Sequence, residues 1–308
     1  MTTRVLIKVD GPFSLAAAAG FGFGPNTGRP LPVGDVMRLA FVADDLRHQA
    51  GAALTQQPDG HILADVSGDA DADAVVAQIR RVLSIDAEAT GWLEAGKADP
   101  VLGTQQDAYP GLRPVLFYSP YEAAAWAMLA QRRQRVQATA VRRRLSVEAG
   151  KTFYLAGQAE PAFPRPEQLL AITSFAGIDE VRLTRLHGVA RAALDGQLEA
   201  RVLAATPPAE AMASLRQIKG LGPVYAMLVY LRATGVKDAA ALGEPRLASY
   251  LRHYYGLAAT PDTEEVEALA EAWRPFRTWA SVLFRVAGDR DGLPFDEPAP
   301  RRRLTGRP

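Results

Sequence analysis

Apolar and polar positions follow two different rhythms along this chain. Through residue 98 the apolar runs are short and rich in β-formers: "RVLIKV", "MRLAFVAD", and two strand-like segments in "AGAALTQQPDGHILADVSG" on either side of Pro58-Asp59-Gly60. Proline presets one turn angle and glycine accepts a positive φ, so this tripeptide reads as a turn between paired strands, and the region predicts a small antiparallel sheet. In "DADAVVAQIRRVLSI" the spacing changes, with Val75, Val76, Ile79, Val82 and Leu83 recurring at helical intervals. Asp71 and Asp73 sit where the positive end of that helix would be, and its apolar stripe is expected to cover one face of the sheet.

From about Asp99 the pattern becomes helices punctuated by glycine and proline. "SPYEAAAWAMLAQRRQRVQATAVRRRLSVEAG" predicts one long helix or two, followed by "PEQLLAI", "IDEVRLTRLHGVARAALDG", "PAEAMASLRQI" and "TEEVEALAEAWRPFRTWASVLFRVAG". No strand signal of comparable strength follows residue 98, so this part is expected to be all-α. The division expected is an α/β domain over 1–98, a helical domain over 99–290 and a Pro/Arg-rich tail over 291–308 that carries Arg301, Arg302 and Arg303.

Composition narrows the chemistry. The 308 residues include no cysteine, which excludes disulfides, thiolate metal sites and a cysteine nucleophile. The four histidines, His48, His61, His187 and His253, lack the clustering a zinc site needs, so no side-chain metal site and no cofactor are expected. No run of 18 uncharged apolar residues exists, and "MTTRVLIKVDGPF" is too short in its apolar part for a secretory signal; a cytoplasmic, membrane-free monomer is expected. The net charge of +1 hides an asymmetry: residues 1–98 hold 8 basic against 12 acidic side chains, and residues 99–308 hold 27 against 22. Only the second part suits a polyanion.

The chemistry-bearing stretch is "IKGLGPVYAMLVYLRATGVKDAAALGEPRLASYLRHYYGL", residues 218–257. Gly220 and Gly222 flank Leu221, and Pro223 takes the first position of a helix, where its missing N–H costs nothing. Two glycines permit a turn with φ > 0 and a close approach of a phosphate, toward which the first helical N–H groups would point. An isolated Gly-x-Gly is also an ordinary tight turn between helices. The surroundings carry more. "IKGLGPVYA", "VKDAAALGEPRLASYLRHYYGL", "WRPFRTWASVLFR" and "SPYEAAAWAMLAQ" resemble the helix-hairpin-helix DNA glycosylases, in particular the DNA-3-methyladenine glycosylase II branch, and "QIRRVLSIDAE" with the small sheet is similar to the extra amino-terminal domain of that branch.

The resemblance implies two helical lobes with a cleft between them and double-stranded DNA as partner, with a damaged base flipped into the cleft, because the glycosidic carbon is inaccessible inside stacked DNA. It places Glu244 at the family's catalytic aspartate position. Glutamate keeps the charge but moves the carboxylate by roughly 1.5 Å, a displacement that matters for rate; its other reading is a helix N-terminal carboxylate favoured by the macrodipole. Asp238 also aligns with an acidic residue of relatives, six residues earlier. Lys219, Gly220, Leu221, Gly222 and Val224 are the expected DNA grip, with a monovalent cation at the Gly220–Gly222 backbone. Val224 stands where lyase members carry a Schiff-base lysine, so a monofunctional enzyme is implied. Arg132 and Arg133 follow Gln131 where relatives place a wedge, although a solvated helix face is an equal reading. Gln131, Tyr118, Tyr121, Leu228 and Arg285 are the expected base pocket, Arg285 replacing a pocket tryptophan. Two functions follow from the resemblance: excision of 3-methyladenine-type or 7-alkylguanine-type bases, or lesion binding without turnover.

Overall fold

The computed structural model describes residues 2–21, 31–32, 35–86 and 89–295; the arginines at 301–303 lie outside them. Strands β1 (Thr2–Ile7), β2 (Met37–Val42), β3 (Gln49–Gln56) and β4 (Ile62–Gly68) form an antiparallel sheet in the order β1-β4-β3-β2, with the short helix α1 (Leu15–Ala19) between β1 and β2. The Pro58-Asp59-Gly60 turn joins β3 to β4: Gly60 takes φ +86° and Asp59 Oδ1 accepts from the His61 amide. Helix α2 (Ala72–Val82) is capped by Asp71 and buries Val75, Ile79 and Val82, with Leu83 just beyond it. The expected sheet and its covering helix are both present.

Helices α3 (Thr90–Ala98) and α4 (Pro100–Ala108) meet at Asp99, which ends one and caps the other. Asp99 also accepts from Trp273 Nε1 at 2.8 Å and from the Tyr255 hydroxyl, so the expected domain boundary falls on a residue tied to the far end of the chain. Next come α5 (Pro120–Ala130) and α6 (Arg135–Ala149), which resolve the long helical stretch into two. A correction follows: β5 (Thr152–Leu155) and β6 (Gln158–Pro161) form a hairpin inside the region expected to be all-α. Phe153 of this hairpin packs against β3 at Gly51, where a Cβ would stand 2.8 Å from its ring, so glycine there is a requirement of close approach. The remaining helices are α7 (Pro166–Leu170), α8 (Glu180–Leu194), α9 (Ala200–Ala205), α10 (Pro208–Leu215), α11 (Pro223–Ala233), α12 (Pro245–Tyr254), α13 (Thr263–Ala270), a 3₁₀ turn (Glu271–Trp273) and α14 (Arg277–Arg290). Among the described residues no helix is long and apolar enough to cross a membrane.

Two hydrophobic clusters organise these elements. One joins the sheet, α2, α3 and α4 to the last helices, from Ile7 through Val115 and again from Leu247 to Phe284; the other runs from Phe117 to Ala239 and takes in Val42 of the sheet. A buried ion pair secures the second cluster to the sheet edge. Glu122 of α5 accepts from the Val42 amide at 3.0 Å and from Arg142 of α6 at 2.6 Å. Burial pushes the Glu122 carboxyl above its usual range, against the lowering effect of Arg142.

Candidate active site and nucleic-acid interface

A cavity of about 500 Å³ opens on the seam between the clusters. Three elements build its walls. From α11 come Val224, Leu228 and Arg232, four residues apart and therefore on one helical face; from α14 come Ser281, Arg285 and Asp289 at the same spacing; and from the start of α12 comes Glu244. Phe21, after α1, and Arg135, at the start of α6, complete the rim.

Glu244 is held from two sides. It is the N-cap of α12, where its Oε2 accepts from the Leu247 amide, and the same oxygen lies 3.7 Å from Arg285 Nε. Its carboxylate is about a quarter exposed and lines the cavity, so the helix-capping and pocket readings of this residue hold together rather than compete. The loop leading to it is pinned to α14: Thr278 Oγ1 accepts from the Ala239 amide and donates to its carbonyl, Ser281 Oγ accepts from the Ala241 amide, and the Lys237 carbonyl accepts from the Thr278 amide. Asp238, the other acidic candidate, is outside the cavity. It is paired with Arg277 at 2.7 Å and Arg274 at 2.9 Å, and it anchors this loop.

Arg285 lines the cavity, paired with Asp289 one turn away and stacked over the Tyr250 ring at 5.5 Å. Burial alone would raise the Asp289 carboxyl, but hydrogen bonds from Arg285 and Tyr250 outweigh it and hold the group below the usual carboxylate range. Leu228 and Val224 also line the cavity, Val224 at its exposed mouth. Three expected pocket residues do not. Tyr121 is fully buried in the second cluster, its hydroxyl donating to the Pro164 carbonyl, because α5 is buried on every side from Pro120 to Leu129. Tyr118 stacks on Phe41 at 5.1 Å against the sheet. Gln131 caps the end of α5 and belongs to the hairpin instead.

Hairpin helices α10 and α11 are joined by a turn in which the Leu221 amide donates to the Ile218 carbonyl at 2.9 Å. Leu221 is buried and anchors the turn, whereas Lys219 and Gly222 are exposed. The two glycines have different jobs, which corrects the expectation of a shared positive φ. Gly220 takes φ +103°, and a Cβ there would lie 2.9 Å from Met128 Sδ. Gly222 has φ −74° and open space around its missing Cβ, at the uncapped N-terminus of α11. Gly220 therefore shapes the turn, and Gly222 leaves room beside free helical N–H groups. The Gly220 carbonyl, part of the expected cation site, accepts from Gln131 Nε2 at 2.6 Å.

Gln131 Oε1 in turn accepts from Arg185, and a second depression of about 510 Å³ beside Gly220 is lined by Gln131, Arg132, Arg182 and Arg185 with Asp179. Arg132 is exposed at φ +52°, a left-handed conformation that turns the chain outward. Arg133 donates to the Gly177 carbonyl, and burial and the neighbouring Arg182 charge lower its guanidinium from the ordinary value. Of the two wedge candidates, Arg132 is the one left projecting.

The overall fold has counterparts among solved structures. The structure of a 3-methyladenine DNA-glycosylase from Archaeoglobus fulgidus superposes with a TM-score of 0.71 at 20% sequence identity, covering 94% of this chain and 98% of that one. The chain has the helix-hairpin-helix DNA glycosylase fold. A DNA-3-methyladenine glycosylase of Bacillus subtilis (strain 168) is 23% identical over 220 residues, which are 70% of this chain and 72% of that protein. The glycosylase fold is shared as well by a Clostridium acetobutylicum 8-oxoguanine glycosylase/lyase in complex with dsDNA containing cytosine opposite to 8-oxoG, with a TM-score of 0.60, 14% identity, and coverage of 80% of this chain and 86% of that one. No family model matches the chain. The family resemblance read from the hairpin, the loop to Glu244 and the last helix is borne out, as is the mainly α architecture behind an N-terminal sheet.

Sequence reasoning missed Arg232, Asp289 and Phe21. Arg232 had a usable signal: it is the single charge in the apolar run "VYAMLVYLRA" and falls in register with Val224 and Leu228. Asp289 had the same signal, one turn beyond Arg285 on α14, whereas Phe21 had none, since it reaches the cavity through tertiary packing alone.

If the hairpin grips phosphate, Gly220→Val should unsettle the turn itself, with strain of roughly 1–3 kcal/mol at the left-handed position and a matching fall in melting temperature. Gly222→Val should leave stability within about 0.5 kcal/mol but weaken binding to all duplexes alike, roughly tenfold or about 1.4 kcal/mol. Thermal melts beside fluorescence anisotropy with undamaged duplex would check both.

Proposed function

We propose that the protein is a monofunctional DNA glycosylase that grips duplex DNA with the α10–α11 hairpin and hydrolyses the N-glycosidic bond of a damaged base flipped into the cavity. The observation that carries this reading is Glu244, whose carboxylate lines a cavity walled by α11, the second helix of the hairpin. Alkylated bases, of the 3-methyladenine or 7-alkylguanine type, are the first substrates that the names of its relatives support.

In this mechanism the hairpin amides and Lys219 hold backbone phosphates, Arg132 fills the gap left by the flipped base, and Val224 faces the DNA at the cavity mouth. The bond between the sugar and the base breaks with its electron pair passing to the base, and the Glu244 carboxylate stabilises the oxocarbenium-like sugar that remains. Water adds to the sugar carbon and gives up a proton. A capped, loop-pinned carboxylate suits that task because it needs no reorganisation as the charge develops.

The residues lining the cavity include no lysine, and the family resemblance sets Val224 where lyase members carry theirs. Borohydride added during turnover on abasic or alkylated duplex should therefore trap no protein–DNA adduct; a trapped band on a denaturing gel would refute the monofunctional assignment. The principal test of the proposal itself is release of free base from damaged duplex by the purified protein. Tight lesion binding without release would favour the non-catalytic reading, to which the engagement of Glu244 by Leu247 and Arg285 lends some support.

A further inference from the structure

Of the two carboxylate oxygens of Glu244, one is engaged and one is not. Oε2 accepts from the Leu247 amide and lies 3.7 Å from Arg285 Nε, whereas Oε1 has no partner among the described residues. A single hydrogen bond to one oxygen leaves a carboxylate free to pivot about it. A second contact on the same oxygen, made from another helix, removes much of that freedom.

Arg285 is held on three sides. Its Nη1 pairs with Asp289 one turn along α14, its Nε reaches Glu244, and its guanidinium carbon stands 5.5 Å from the centre of the Tyr250 ring. Asp289 is fixed in turn: the Tyr250 hydroxyl donates to its Oδ1 at 2.7 Å, and Arg246 approaches the same oxygen at 3.6 Å. Tyr250 is buried, and it can lie this close to α14 because residue 288 is glycine, where a Cβ would stand 2.2 Å from Tyr250 Cδ2. The line of contacts thus runs from a tightly packed crossing of α12 and α14 to one oxygen of Glu244.

A cation in this place has two opposed effects. Its charge weakens the field that Glu244 presents to a developing sugar cation, and its grip fixes where the carboxylate stands. The geometry favours the second. Arg285 makes its close pair with Asp289 and only its longer one with Glu244, and a pair of that length between partly exposed groups is weak. Misplacing a reacting group by about 1 Å, by contrast, can cost on the order of a hundredfold in rate.

Resting on the glycosylase reading above, we infer that Arg285 is a positioning residue: by bridging Asp289 and Glu244 it holds Oε2 against the α12 cap and presents Oε1 as the oxygen that faces the sugar. The length of glutamate creates the need. An aspartate at 244 has one torsion fewer to fix and draws its carboxylate back by roughly one carbon–carbon bond, about 1.5 Å, from a contact that already stands at 3.7 Å. It would not use the bridge.

Single-turnover base release from methylated duplex would test this with wild type, Arg285→Met, Glu244→Asp and the double variant. Arg285→Met keeps the bulk of the cavity wall; it should release base roughly tenfold more slowly than wild type while its affinity for damaged duplex, read by fluorescence anisotropy, stays within about twofold. In the Glu244→Asp background the same change should cost less than about twofold, because there is no bridge to lose. Arg285→Lys retains the charge but offers one nitrogen in place of a fork, so it should not restore the rate. Asp289→Asn, which frees the guanidinium from its anchor, runs the same cycle should Arg285→Met fail to fold. An unchanged or faster rate on losing Arg285, full activity in Arg285→Lys, or an equal fold loss in both backgrounds would overturn the inference while leaving the glycosylase reading intact. No release by wild type from methylated, hypoxanthine-containing or 1,N6-ethenoadenine-containing duplex would remove both.

Discussion

Glu244→Gln is expected to lose most base release, on the order of a hundredfold to a thousandfold in single-turnover rate, while keeping its affinity for damaged duplex. The amide retains the shape and the oxygen that accepts from Leu247, so the cap of α12 survives and stability should change by less than about 1 kcal/mol. What disappears is the negative charge facing the sugar, an interaction made chiefly in the transition state, and such losses fall on the rate of bond breaking rather than on binding. Glu244→Asp keeps both charge and cap, aspartate being a good N-cap residue, and restores the length usual in relatives; it should stay within roughly tenfold of wild type. Equal rates for wild type and Glu244→Gln would take Glu244 out of the mechanism.

The largest stability effect should come from Arg142→Leu. This change strands Glu122 in the core with only the Val42 amide and the Ser119-capped turn around it, and breaking one side of a buried pair typically costs about 3–5 kcal/mol. The loss should depend on pH in a definite sense. Glu122 already has a raised carboxyl in the folded protein, and removing the Arg142 charge raises it further. Between the unfolded value, about 4.3, and the folded one, the folded state binds more protons than the unfolded state, so stability falls as pH rises. The deficit of Arg142→Leu relative to wild type should therefore be smaller near pH 4 than at pH 7.5, read as urea midpoints at the two ends. A deficit independent of pH would assign the cost to lost packing over Phe163 rather than to the charge.

The elements that could be read from sequence are those whose local pattern and tertiary role agree. Asp71 followed by Val75, Ile79 and Val82 is legible because the cap directly precedes the eleven residues that carry the apolar stripe. The β5–β6 hairpin was not, since its strands have four residues each and Tyr154 faces solvent at 82% exposure; tertiary contacts hold it to the sheet, with Phe153 docking on a glycine 102 residues earlier, Leu155 packing with Ala40, and Arg38 donating to the Leu155 carbonyl. At the site, Glu244, Leu228, Val224 and Arg285 were legible through the family resemblance, and the structure gathers them in one cavity. Tyr118 and Tyr121 misled because an aromatic residue at the start of a helix looks the same whether it ends in a cleft or in a core. The different roles of Gly220 and Gly222 were equally illegible, because φ depends on what each backbone packs against.

The hydrophobic cluster that unites the amino-terminal sheet with α12 and α14 has a consequence for the order in which the molecule can be made. Residues 117–239 supply nearly all of their own core, so this middle portion has its partners to hand soon after it leaves the ribosome. The sheet has to wait. Leu39, Leu54, Ile62 and their neighbours share a cluster with Trp279 and Phe284, which are synthesised more than two hundred residues later; at 5–20 residues per second that is a delay on the order of ten to fifty seconds. For that interval the nascent chain carries an incompletely covered β-sheet beside a finished helical lobe, and the wall bearing Arg285 closes over both only after that delay.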